Sequence, residues 1–175
     1  MITLSGERVF IRQAQLPTIL NPLTLRTPRL SVKPSWHKVF VYLGGPTDEP
    51  TNALVRCKVE GTLINYHERW IETERRDEYY FERAYLHLYR GEKRGETVEQ
   101  ILALHCDPAI DPGSLRSEYR RGPHLHISDK HNIFSRAHIG LCLQHLEDTI
   151  KNEKNLTESL GVAIKMIAEE FLILL

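Results

Sequence analysis

Imidazole is the side chain whose proton changes hands near neutral pH, and this sequence sets four of them in strand-like surroundings. They are His87 in Tyr85-Leu86-His87-Leu88-Tyr89, His105 in Leu102-Ala103-Leu104-His105-Cys106-Asp107, and the pair His124 and His126 in Pro123-His124-Leu125-His126-Ile127. Residues two apart on a strand share a face, and their neighbours take the other. The intervening positions are apolar: Ala84, Leu86 and Leu88; Leu102, Leu104 and Cys106; Leu125 and Ile127. One face of the expected sheet is therefore a core face, and the other is lined with histidine.

Two chemistries suit such a face. His124 and His126 could act as general acid and general base in phosphodiester cleavage, where a 2′-hydroxyl loses a proton and a leaving oxygen gains one. In that reading Asp107 orients His105 or serves as a base, and Arg120 or Arg121 clamps the phosphate. Tyr85 and Tyr89, on the face of His87, would stack a nucleobase or donate a hydrogen bond. The second chemistry is metal binding, with His124, His126 and either His105 or Asp107 as a ligand set for zinc or manganese. No H-E-x-x-H motif is present. Two-histidine phosphodiesterase chemistry, which pairs two H-x-[S/T] strands, finds one copy in His126-Ile127-Ser128 and no second. Against all of these stands the ordinary use of a strand histidine as a packed, hydrogen-bonded residue. His131, His138 and His145 carry less information, and His37 and His67 flank strands in other regions.

The elements that must position these residues are legible in part. A strand at about Tyr79–Arg90 leads through Gly91-Glu92-Lys93-Arg94-Gly95 into another at about Glu96–Cys106, a hairpin. The chain returns at Pro123–Ser128, and Pro123 marks a strand start or an edge. Ala53–Tyr66 reads as one long strand with Val55, Cys57, Val59 and Leu63 inward and Gly61 a bulge. Glu68–Glu78 is densely charged and resists assignment. Lys38–Leu43 is the best strand of the first third.

That first third holds Pro17, Pro22, Pro28, Pro34, Pro46 and Pro50. Proline pins φ and lacks an amide donor, so residues 1–50 are expected to form an extended arm or edge strands, with residues 51–175 as a single domain. Near the C-terminus the period changes to that of a helix: Leu156, Leu160, Ile164, Ile167, Phe171 and Leu174 make one stripe, with Asn155 as N-cap. A shorter helix is expected at Leu143–Lys151. The fold class is α+β, an antiparallel sheet with its apolar face covered by the C-terminal helix.

Composition bounds the partners. Lysine plus arginine equals aspartate plus glutamate, at 23 each, so total charge gives no pull toward nucleic acid. The segment 116–138 is locally basic, with Arg116, Arg120, Arg121, Lys130 and Arg136 against Glu118 and Asp129; it suits a phosphate-bearing substrate such as RNA or a nucleotide. Cys57, Cys106 and Cys142 form no C-x-x-C pair and belong in a core, which fits a reducing, cytoplasmic setting. Met1–Gln13 lacks the apolar stretch of a secretory signal. The longest apolar run, Phe171–Leu175, is too short to span a bilayer, so no membrane role is expected. Its apolar end is either tucked into the core or part of a contact with a protein partner or a second copy.

From about Tyr79 onward the chain resembles the TumE family of small toxins, found in toxin–antitoxin pairs. The order of parts carries the likeness, through Leu104-His105-Cys106-Asp107-Pro108 and Gly122-Pro123-His124-Leu125-His126-Ile127. The family pattern has Asp-Asn and Pro-His-His before a Pro-His-His-x-His strand. This chain lacks the Asn after Asp107 and the first histidine cluster, and it carries an additional N-terminal third. The resemblance implies a small intracellular toxin or defence effector acting on RNA or nucleotides and restrained by a cognate protein. It carries over to His124, His126 and Asp107 alone. The expectation is a phosphodiesterase or ribonuclease-like enzyme; the alternative is a non-enzymatic accessory or regulatory subunit.

Overall fold

A computed structural model describes residues 2–91, 98–107, 122–127, 137–141 and 151–174. The α+β class holds. Seven strands lie in the order β2 (Leu30–Ser35), β3 (Lys38–Leu43), β5 (Thr62–Glu72), β6 (Glu78–Arg90), β7 (Glu99–Asp107), β8 (Gly122–Ile127) and β9 (Ala137–Gly140). Two short strands attach to this path, β1 (Thr3–Ser5) beside β6 and β4 (Val55–Arg56) beside β5. Every pairing is antiparallel. Two helices, α1 (Gly6–Leu20) and α2 (Glu153–Met166), share one core with the sheet.

Alternation places that core where the sequence put it. Leu86 and Leu88 of β6, Leu102, Leu104 and Cys106 of β7, and Leu125 of β8 are all buried, and they cluster with Leu156, Leu160 and Ile164 of α2. The C-terminal stripe is therefore the buried face of a helix, as its spacing required. Its cap lies three residues earlier than Asn155: the Asn152 side chain accepts from the Asn155 backbone N–H at 2.9 Å. After Met166 the helix widens to a π turn over Ile167–Phe171. Leu172 is buried while Ile173 stands in solvent, so the apolar tip is divided between core and surface. Cys57 and Cys106 are buried free thiols. Among the described residues no helix is long and apolar enough to cross a membrane.

The first third departs from the expectation of an extended arm. Residues Gly6–Leu20 are helical, and Val9, Leu16 and Leu20 enter the core. Two features hid the helix. Its fourth inward position is Arg12, a charge where the pattern calls for an apolar residue, and Pro17 sits inside the last turns. Proline late in a helix forfeits one hydrogen bond, and the burial of Leu16 and Leu20 on either side offsets that loss. The prolines do act as expected further on, since Pro34 lies in β2, the edge strand.

The single strand read at Ala53–Tyr66 is two. Gly61 adopts φ 69°, a left-handed conformation that glycine takes without strain, and the chain turns there instead of bulging. The strand after the turn runs on to Glu72, so the charged stretch beginning at Glu68 is largely sheet. Pro123 stands near the start of β8, whose far side is covered by β9; β8 is not an edge. The helix expected at Leu143–Lys151 lies outside the described residues but for Lys151.

Arg12 explains the charge in β5. Its Nε donates to Glu68 Oε2 at 2.6 Å and its Nη2 to Oε1 at 2.5 Å, with both side chains fully buried. The same carboxylate accepts from Tyr66 Oη and Trp70 Nε1, and Arg12 Nη1 donates to Thr157 of α2 at 3.0 Å. One network thus joins α1, β5 and α2 beneath the sheet. Arg12→Met is expected to lower unfolding free energy by about 3–5 kcal/mol, because it strands a buried carboxylate. Urea denaturation measures this, and a loss below about 1 kcal/mol would show the pair to be dispensable.

Candidate active centre on the histidine face

Register places the site. Reading across the strands, Tyr42 pairs with His67, His67 with Tyr85, Tyr85 with His105, His105 with His124, and His124 with Gly140. A second row, two residues along each strand, runs Asn65, His87, Ala103, His126 and His138. Directly opposite residues share a face. The four histidines from three segments therefore meet on the face away from the helices, and His67 joins them.

Ala103 gives the cluster its shape. It sits between His87 and His126 in the second row and is fully buried. A side chain of one carbon leaves the space above it to the rings on either side. The His105 and His126 ring centres are 4.2 Å apart, those of His124 and His126 are 4.9 Å apart, and those of His87 and His105 are 5.2 Å apart. Ring nitrogens of His105, His124 and His126 all lie within 4.8 Å of one another.

Each ring is held by a neighbour. The His105 imidazole stacks on Tyr85, 3.9 Å between centres and 16° between planes, and its Nε2 is 3.0 Å from His87 Nε2. Two ring nitrogens that close hold one proton between them or face a common cation. His87 Nδ1 accepts or shares the Tyr89 hydroxyl at 3.2 Å. Tyr85 Oη lies 3.4 Å from Asp107 Oδ2, which sets this carboxylate at the rim of the same row. One face of the Tyr85 ring is engaged by His105.

His67 was passed over in the sequence as a strand-flanking residue. Its tautomer follows from Asn65, whose amide donates to Pro50 O at 3.0 Å and to Ala53 O at 2.8 Å. With both amide protons used, Asn65 Oδ1 faces His67 Nδ1 at 3.1 Å and must accept from it. The proton is on Nδ1, and Nε2 keeps a bare lone pair that is buried without a hydrogen-bond partner among the described residues. His67 shares parity with Leu63 and Asn65, and the sequence reading turns Leu63 inward; in the structure Ile64, Tyr66 and Trp70 face the core and Leu63 pairs with Tyr89 on the histidine side.

Burial disfavours the charged form of these rings. Desolvation comes first and the neighbouring groups second: other imidazoles lower His105 further, to about 2, His87 with Arg83 and Arg69 lower His67 to about 3, and Arg83 lowers His87 to about 4. His67, His87 and His105 are therefore neutral at pH 7, in the form that binds a metal ion or accepts a proton, and ill suited to donate one as imidazolium. Arg120 and Arg121, the expected phosphate clamp, lie outside the described residues.

The depressed values set a pH dependence. Unfolded imidazoles take up protons below about pH 6.5 while the folded ones resist, so stability is whole above that pH and falls as acid is added. Each such group removes up to about 1.4 kcal/mol per pH unit. Metal-free protein is expected to show a falling urea midpoint from pH 7 to pH 5, and His67→Gln to flatten the fall. A midpoint unchanged over that range would contradict the neutrality of these three imidazoles.

No family model, no curated protein and no solved structure matches this chain.

Proposed function

We propose that the chain is a small phosphodiester-cleaving enzyme of ribonuclease-like type, with the histidine face as its active centre and a divalent metal ion held by His105, His124 and His126. The observation that carries this reading is the convergence of three ring nitrogens, from two adjacent strands, within 4.8 Å of one another. Burial holds one of them, His105, as neutral imidazole, the form that ligates metal.

A bound ion there would lower the pKa of a water molecule and polarise a phosphoryl oxygen. The chain's own groups do the rest. Tyr85 fixes the plane of His105 by stacking, and His87, itself held by Tyr89, touches the edge of the same ring. Such outer contacts orient ligating imidazoles. Asp107 stands at the rim, beside the Tyr85 hydroxyl, where a proton leaving the reaction can be received.

A second reading keeps the substrate and dispenses with the ion. His124 and His126 stand with ring centres 4.9 Å apart on one strand, His126 the more exposed of the two, a spacing at which one could serve as base and the other as acid. The resemblance to TumE-type toxins, through His124, His126 and Asp107, supports an RNA or nucleotide substrate and a role as a toxin or defence effector restrained by a partner protein. Rings gathered on one face favour an enzyme over an accessory subunit, for which scattered histidines would serve as well.

Purified protein incubated with RNA tests the reading. His126→Ala is expected to reduce cleavage by about 100-fold or more with an unchanged circular dichroism spectrum, and chelation is expected to abolish cleavage until zinc or manganese is returned. Full activity in the folded His126→Ala protein removes the assignment. Activity that survives chelation but not the substitution selects the metal-free reading.

A further inference from the structure

A second cationic feature borders the histidine face. Arg69 of β5 and Arg83 of β6 stand directly opposite one another. Like charges so placed on neighbouring strands cost stability unless something negative sits with them. The strand irregularity beside them supplies half of the remedy. Register passes from Arg69 opposite Arg83 to Trp70 opposite Phe81, so Glu82 is the extra residue of a β-bulge. From that position the Glu82 carboxylate reaches Arg69 and pairs with it.

Arg83 receives no such partner. Among the described residues no carboxylate pairs with it, and its Nε is buried without an acceptor. Its guanidinium lies over the Tyr85 ring, 4.9 Å from the ring centre, and Tyr85 in turn stacks on His105. The cation therefore stands one aromatic ring away from the imidazole cluster. It is half-buried and held in place, with donors left over. A planar fork of N–H groups in such a setting matches the oxygens of a phosphate.

We propose that Arg83 is the oxyanion anchor of the histidine face, binding a phosphate group of a nucleotide or oligonucleotide beside His105, His124 and His126. The proposal rests on the reading of that cluster as the active centre. It assigns the bulge a purpose: Glu82 neutralises one arginine and leaves the other for substrate. It adds a residue fixed in the sheet to the arginines expected from the sequence, Arg120 or Arg121, which lie outside the described residues.

Calorimetric titration of the full chain with adenosine 5′-monophosphate and with inorganic phosphate tests it, in zinc-loaded and chelator-treated protein. Arg83→Gln is expected to weaken both ligands by about 10- to 100-fold, Arg83→Lys to recover part of the loss, and the double variant Arg69→Gln/Glu82→Gln, which removes the neighbouring pair without freeing a carboxylate, to change affinity by less than about threefold. Zinc affinity, titrated separately, should be the same in all three variants, which reports that the fold and the cluster are intact. Nucleotide binding lost while phosphate binding is kept assigns Arg83 to the nucleoside and overturns the proposal. So does wild-type affinity in Arg83→Gln, or an equal loss in the Arg69→Gln/Glu82→Gln variant. A wild type that binds phosphate through Arg83 but takes up no zinc upholds the anchor and removes the metal reading alone.

Discussion

Strand geometry allows a residue only one of two faces, and in this protein the buried Arg12–Glu68 pair decides which residues take which. Glu68 is a charged residue on the core face of β5, and it can stay there only because Arg12 of α1 meets it with two hydrogen bonds. Once Glu68 points inward, Asn65, His67 and Arg69 must point outward. A slip of one residue would carry His67 into the core and Glu68 onto the histidine face. Removing either partner would leave an uncompensated charge among Tyr66, Trp70 and Leu16, so the alternative register is costly. Through Thr157 and Glu153 the same arginine also reaches α2, so both helices are tied to the strand that sets the parity.

On the opposite face the consequence is a polar layer of buried and half-buried rings. Five imidazoles in two transverse rows share a region with Tyr85, Tyr89 and Asn65. Desolvation opposes protonation of His67, His87 and His105, and the neighbouring imidazoles add to it at His105. A sheet that served only as a scaffold would gain by placing apolar residues there. The cluster is the ground for the proposal of a receptor for a metal ion or for a proton. On the same face Glu82 answers the charge of Arg69, while Arg83 has no carboxylate partner among the described residues.

Much of this was legible in the chain and some was not, for definite reasons. The strands carrying His87, His105, His124 and His126 alternate cleanly with leucine, so their shared face followed from period two alone, and the C-terminal stripe read directly as a helix. Misreadings arose wherever a charge occupied a core position. Arg12 broke the apolar pattern of α1, and Glu68 broke that of β5, which hid a helix and the end of a strand respectively. Each of these charges makes sense only beside the other, and they are 56 residues apart; no local pattern reveals such a pair. The bulge at Glu82, likewise, depends on the register of two strands and leaves no mark in composition.

The central claim is that imidazoles from β7 and β8 form one metal centre. X-ray absorption spectroscopy of the zinc-loaded protein addresses the coordination shell itself. The account predicts three imidazole nitrogens at about 2.0–2.1 Å, falling to two in His105→Ala. A shell of oxygen ligands only, or a spectrum indifferent to the loss of His105, would contradict it.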